Sequence, residues 1–214
     1  LDIYREELPE QFIHSGISEQ HLIDMAAGLA LSGKKVYAYA MAPFLSLRCY
    51  EQIKCSLAMM DLPVAVLGVG VGLGYADSGP THYLTEDLAC MRALPGIEVL
   101  TATDAHTSRS IADLTVRDPK FRYIRLDRDP MPDVTDAAGY DEDFEKGFKR
   151  LKEGSDVCLI SSGYTMHRTL EAQRKLAAEG IDASVVDLFR IKPIDFMQLG
   201  PILEAHRGIV TIEE

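Results

Sequence analysis

Glu19 stands in Gly16-Ile17-Ser18-Glu19-Gln20-His21, between an apolar run that begins at Phe12 and a long helical pattern. Phe12 to Ser15 reads as a strand, so the carboxylate falls at a strand-to-helix junction, where open α/β sheets place their sites. The helix continues with Leu22, Ile23, Met25, Ala26, Ala27, Leu29, Ala30 and Leu31, a mostly buried element. A buried carboxylate without a partner is costly, so Glu19 has either a local partner or a chemical task. Its plain structural role would be that of an acid in the first turn of a helix, worth about 0.3–1 kcal/mol against the helix dipole. Two further segments carry chemistry-bearing residues. In Pro43-Phe44-Leu45-Ser46-Leu47-Arg48-Cys49-Tyr50, two aromatics six apart open a helix directly after a strand. Such aromatics serve as core or as walls for a flat heterocycle. The loop from Gly68 to His82 holds Gly68, Gly70, Gly72, Gly74 and Gly79 and ends in Gly79-Pro80-Thr81-His82. It imitates a dinucleotide fingerprint, but Leu73 and Tyr75 occupy the positions where the third glycine would stand. The glycines instead point to backbone pressed close to a ligand or another chain, with a Pro-constrained turn presenting His82.

The elements that must position these residues alternate between strand and helix. Strands are expected at Phe12–Ser15, Lys35–Met41, Pro63–Gly68, Ile97–Thr101 and Phe121–Leu126, with helices at 18–32, 45–61, 84–94 and 104–117. Asp104 is the expected N-cap of the last helix, and Asp87 lies in the first turn of the one before it. Nearly continuous apolar strands in β-α units imply an α/β fold, an open and mostly parallel sheet with helices on both faces. A polar, turn-rich stretch beginning near Asp127 marks a boundary. The expected organisation is a domain over 1–135, a linker over 136–154 and a second, incomplete α/β domain over 155–214. In the second domain, strands 156–161, 183–188 and 208–213 alternate with helices 165–179 and 195–206.

The 214 residues include 47% hydrophobic and 26% charged residues, a globular composition, and carry a formal charge of -11. That charge argues against nucleic-acid binding, which is built on phosphate neutralisation by Lys and Arg. No apolar stretch approaches the ~20 residues of a membrane span, so a cytoplasmic protein without membrane contact is expected. Cys49, Cys55, Cys90 and Cys158 are scattered without a Cys-x-x-Cys pair, which suggests buried thiols rather than zinc or disulfides. The abrupt start at Leu1 and the finish on a strand-like run suggest a fragment or a trimmed subunit.

Three segments in register, Gly-Ile-Ser-Glu-Gln-His, Ala-Pro-Phe-Leu-Ser-Leu-Arg-Cys-Tyr-Glu-Gln-Ile and Ser-Gly-Pro-Thr-His-Tyr, the last followed by Met-Arg-Ala-Leu-Pro, resemble the pyrimidine-binding domain of the transketolase family. The resemblance runs over about residues 12–135, and the remainder resembles the start of that family's C-terminal domain. It implies thiamine diphosphate as cofactor, held between two chains or domains. It makes Glu19 the catalytic carboxylate that hydrogen-bonds the pyrimidine ring nitrogen. It also makes Phe44, Leu47 and Tyr50 the residues around that ring. His82 matches a catalytic histidine that contacts the reacting oxygen of the substrate, a task suited to imidazole. Arg128 matches an arginine that binds substrate phosphate, and a guanidinium suits a bidentate anion. Asp77 is the nearest acid to the one expected before Gly-Pro-Thr-His, where Ser78 stands, and Gly70 falls where the family has a phosphate-holding histidine.

The Gly-Asp-Gly motif that binds metal and diphosphate in this family is absent. The resemblance therefore implies that Mg2+ or Ca2+ is held by a partner, an N-terminal transketolase-type subunit, with no metal ligands here. A homodimer or heterotetramer is expected, acting on small sugars or sugar phosphates by transfer of a two-carbon ketol unit from a ketose to an aldose. The alternatives are a 1-deoxyxylulose-5-phosphate synthase-like condensation of pyruvate with an aldehyde and, from another class, a non-catalytic α/β interaction module.

Overall fold

The computed structural model describes residues 1–135, 140 and 143–214. The first sheet contains β1 (Val36–Met41), β2 (Val64–Val69), β3 (Glu98–Thr101) and β4 (Arg122–Leu126), all parallel, in the order β1-β2-β4-β3. β2 is buried over most of its length, as a Val/Ala/Leu run covered on both faces should be. Alternate residues divide between two cores. Val64, Val66, Val99 and Tyr123 pack with Ile23, Ala26, Ala27 and Ala30 of α2 (Glu19–Leu31). Ala65, Leu100 and Ile124 pack on the other side with Ile111 and Leu114 of α6 (Ala105–Arg117). Asp104 caps α6, its carboxylate accepting from Thr107 N at 2.8 Å and Thr107 Oγ1 at 2.7 Å.

Three expectations are corrected. Phe12–Ser15 is not a strand. After α1 (Asp2–Glu7) and a 3-10 turn over Pro9–Gln11, the chain runs irregularly to Ser18. Its polar groups are used locally: Gly16 N donates to His14 Nδ1 at 3.2 Å and Ser18 Oγ to Ser15 O at 2.5 Å. Ile13 and Ile17 stay exposed, so no sheet neighbour rewards an extended pairing. The helix expected over 45–61 is broken into α3 (Ala42–Leu45), a turn at 46–49, α4 (Tyr50–Gln52) and a π-helical stretch over Ile53–Ala58. Pro43 favours an early start in the first turn of α3, and Ser46 Oγ donates back to Ala42 O at 2.6 Å, competing with helix continuation. π-Helical turns are rare and recur at functional sites.

The second half holds more strands than the three expected. β6 (Val157–Ser161) lies between β7 (Ala183–Asp187) and β9 (Gly208–Thr211) and is parallel to both, and β5 (Lys149–Lys152) is antiparallel to β7. β5 and the buried Phe144 and Phe148 fall within the stretch expected as a linker. Residues 136–139 and 141–142 of that stretch lie outside the described residues. α7 (Tyr164–Ala178) and α8 (Phe196–Glu204) complete this half. β8 (Arg190–Lys192) leaves its own half and joins the first sheet antiparallel to β3.

The two halves are therefore sewn together. Thr101 N donates to Phe189 O at 2.8 Å, Gly163 N donates to Thr103 Oγ1 at 3.2 Å, and Lys192 Nζ donates to the carbonyls of Arg92 and Leu94. Asp187 is fully buried beneath this seam and accepts from Tyr140 Oη at 2.7 Å. Burial pushes its carboxyl up to about 7 despite the Tyr140 and Thr103 hydrogen bonds. Among the described residues no helix is long and apolar enough to cross a membrane.

Candidate active site

α3 and the glycine loop leave the C-terminal ends of β1 and β2, the edge at which parallel α/β sheets bind ligands. Glu19 opens α2 beside them. Ser18, the N-cap, makes no side-chain cap because its hydroxyl is spent on Ser15 O. The Glu19 side chain is only 12% exposed, and Oε2 accepts from Arg48 Nη1 at 3.1 Å. Of the two outcomes posed by the sequence, a local partner exists in this chain.

Arg48 sits on the 46–49 turn, with its guanidinium carbon 4.1 Å from the centroid of the Phe44 ring. That ring makes a T-shaped contact with His82, with centroids 5.2 Å apart and planes at 75°. His82 in turn lies 6.4 Å from Tyr75, whose ring carries Arg128 at 4.8 Å. Arg128 Nη1 closes the series on Asp77 Oδ1 at 3.0 Å. Glu19, Arg48, Phe44, His82, Tyr75, Arg128 and Asp77 thus form one unbroken line of contacts.

The local backbone explains the line. Gly72 and Leu84 exchange two hydrogen bonds of 2.9 Å, which pin the glycine loop back on itself. Gly79, at φ +83°, joins the 3-10 turn over Ala76–Ser78 to the one over Pro80–His82 and so aims the histidine. Thr81 Oγ1 and His82 Nδ1 lie 2.9 Å apart. Gly70 has φ +74°, and a Cβ there would lie 1.9 Å from Tyr75 Cε2. The tyrosine ring fills the space that any side chain at 70 would need.

Leu47 packs against Ala42, Val71 and Leu84, and so backs the loop. Tyr50 packs on the main core and its Oη donates to Cys90 O at 2.9 Å, tying α4 to α5 (Asp87–Ala93). Asp87, in the first turn of α5, is buried and accepts from Tyr123 Oη at 2.8 Å and Arg125 Nε at 2.8 Å. That buried triad fixes β4 and α5 beneath the loop. Burial, and next the Glu19 charge, push the Cys49 thiol up to about 11, so it is inert packing rather than a nucleophile. The Arg128 hydrogen bond holds the Asp77 carboxyl below its usual value.

Sequence reasoning missed Arg48 and Tyr75. Arg48 follows Phe44 by four residues, a spacing that stacks side chains on a helix, although here a turn achieves it. For Tyr75 the signal is indirect: the glycines on either side of it leave space that a neighbouring ring can fill. Among the described residues no group of three or more His, Cys, Asp or Glu side chains is placed to hold a metal.

Residues 3–133 match the model of the transketolase pyrimidine-binding domain, and residues 147–214 that of the transketolase C-terminal domain. The chain belongs to the transketolase family. It is 36% identical over its full length to an apulose-4-phosphate transketolase subunit of Phocaeicola vulgatus, spanning 68% of that protein. It is also 32% identical to a 1-deoxy-D-xylulose-5-phosphate synthase of Gloeobacter violaceus, of which it spans 34%. A solved split-gene transketolase, described as an inactive β4 tetramer, superimposes with a TM-score of 0.88 at 36% identity, covering 99% of this chain and 68% of that one. A transketolase of Pichia stipitis shares the fold, at a TM-score of 0.78 and 21% identity over 92% of this chain and 30% of its own.

Transketolase-family membership makes this chain part of a thiamine-diphosphate-dependent transferase. The residues present fit the aminopyrimidine of that cofactor. Glu19 and the Phe44 face already accept a flat nitrogenous donor, the Arg48 guanidinium, stacked on the ring and hydrogen-bonded to the carboxylate.

Proposed function

We propose that this chain supplies the pyrimidine-side half of a transketolase-type active site that moves a two-carbon ketol unit from a ketose to an aldose. The observation that carries the proposal is the continuous contact line from Glu19 through Phe44 to His82. Thiamine diphosphate, when bound, supplies the carbanion chemistry and acts as the electron sink. Glu19 holds the proton at the pyrimidine ring nitrogen, and Phe44 stacks on that ring. Leu47 backs the glycine loop beside the ring, and Tyr50 anchors α4 to α5 next to it. His82 directs its imidazole at the reacting oxygen, and Arg128 with Asp77 orients the distal end of the substrate, phosphorylated or not.

The diphosphate and its Mg2+ or Ca2+ fall to an N-terminal partner subunit in a homodimer or heterotetramer. Exposed Ile17, two residues before Glu19, and exposed Ile13 give that partner an apolar surface beside the site. The likeness to split relatives, one of them an inactive β4 tetramer, supports a chain that needs a second kind of subunit. The pyrimidine-binding unit spans 1–135, and the C-terminal unit takes in β5 of the stretch expected as a linker, because that strand pairs with β7, in a cytoplasmic enzyme. The likeness to deoxyxylulose-phosphate synthases keeps pyruvate as the competing donor. The line from Glu19 through Arg48 and Phe44 to His82 favours a catalytic chain over an interaction module.

The test is reconstitution with an N-terminal partner that carries Gly-Asp-Gly, followed by turnover with phosphorylated ketoses, free ketoses and pyruvate. Glu19→Ala is expected to lower kcat by about 100-fold or more with an unchanged circular dichroism spectrum. Full activity of that variant would overturn the proposal, and turnover with pyruvate alone would move the chain to the synthase reaction.

A further inference from the structure

Arg48 is the residue in the site line that neither the sequence motifs nor the family role of Glu19 explains. Its guanidinium makes both contacts expected of the cofactor ring: it donates to Glu19 Oε2 at 3.1 Å and lies 4.1 Å from the Phe44 centroid. A guanidinium and an aminopyrimidine whose ring nitrogen has taken up a proton are both flat groups that present an N–H in their own plane to a carboxylate and a face to an aromatic ring. The two cannot occupy the same carboxylate oxygen and the same ring face together. We propose that Arg48 is a placeholder, a latch that covers the pyrimidine subsite while the chain is without cofactor and must be displaced when thiamine diphosphate enters.

The location suits a part that moves. Arg48 lies on the 46–49 turn between two short helices, and its side chain is 46% exposed while that of Glu19 is 12% exposed. The arginine therefore swings out at small solvation cost, while the carboxylate stays where α2 fixes it. In the separate subunit the latch keeps a poorly solvated carboxylate paired and one face of Phe44 covered. The cost appears on binding: the apparent dissociation constant is the intrinsic one divided by the unlatched fraction. An exposed cation–π contact and a partly exposed ion pair each contribute modestly, which sets the expected effect at roughly three- to tenfold.

The inference rests on the assignment of Glu19 and Phe44 to the pyrimidine ring, and the experiment separates the two. Thiamine diphosphate binding, with Mg2+ present, is measured by calorimetry and stopped-flow on the reconstituted complex of wild type, Arg48→Ala, Arg48→Lys, Glu19→Gln and Arg48→Ala/Glu19→Gln. Arg48→Ala is expected to bind about three- to tenfold tighter and to associate faster. Arg48→Lys, which keeps the charge and loses the planar stack, should fall between. In the Glu19→Gln background the gain from Arg48→Ala should shrink, since the latch has lost its strongest anchor. Equal or weaker binding by Arg48→Ala, with Arg48→Lys like wild type, overturns the latch and makes Arg48 a residue that positions Glu19 for the cofactor. Unchanged binding by Glu19→Gln overturns instead the pyrimidine assignment beneath it.

Discussion

Two arginines in this chain make the same three-part arrangement at opposite ends of one line of contacts. Arg48 lies over Phe44 and pairs with Glu19; Arg128 lies over Tyr75 and pairs with Asp77. The carboxylates differ most. Glu19 is 12% exposed, at the mouth of a buried helix, whereas Asp77 is 67% exposed on a 3-10 turn. In water an ion pair is screened and nearly free to exchange, so the Arg128–Asp77 pair surrenders its guanidinium to an incoming anion at little cost. At the Glu19 end the carboxylate itself is largely desolvated, so a lost partner must be replaced. Under the proposed function, the same side-chain grammar would serve as an exchangeable substrate clamp at one end and a selective cofactor contact at the other. His82 touches both, meeting Phe44 on one side and Tyr75 on the other.

That comparison breaks most visibly at its midpoint. His82→Ala in the reconstituted enzyme is expected to lower kcat by about 100-fold, with thiamine diphosphate affinity within twofold of wild type by calorimetry. A loss of cofactor affinity instead would place His82 at the Phe44 end alone. Next in size is Gly70→Ala, which puts a side chain at φ +74° into space held by Tyr75. Urea denaturation should show about 1–3 kcal/mol of destabilisation. Part of that loss should return in Gly70→Ala/Tyr75→Ala, which opens the space but leaves the backbone strain. The smallest effect sharpens the distinction between the ends. Arg128→Ala should raise KM for phosphorylated substrates about tenfold, leave KM for unphosphorylated ones unchanged, and lose its effect at high salt. Equal effects on both substrate types would make Arg128 a surface partner of Asp77 and nothing more.

Much of the framework was legible before the structure. The Val-, Ala- and Leu-rich run at 64–69, set between amphipathic stretches, points to a parallel sheet buried on both faces because little else can hide such a run. Asp104 announced its helix because an N-cap acts within three residues. The failures lie where local pattern and long-range context disagree. Phe12–Ser15 has strand-like residues but no sheet neighbour, and 45–61 has helical periodicity interrupted by Ser46 and a π-helical turn. β8 is three residues long and takes its meaning from β3, some ninety residues earlier in the chain, so no local window reveals it.

The candidate site divides in the same way. Residue type and spacing within short motifs marked Glu19, Phe44, Tyr50 and His82, and the family resemblance added Leu47, Asp77 and Arg128. The same resemblance reads Gly70 and Ser78 as departures from the family pattern. Only the tertiary structure decided that these residues lie along one line, that Arg48 and Tyr75 are its missing links, and that Tyr75 fills the space above Gly70. It alone showed that Glu19 has an ion partner twenty-nine residues away. The physical reason is range: capping, turn chemistry and hydrophobic period act over a few residues, whereas a stacked ring or a desolvated ion pair exists only after distant segments have been brought into contact.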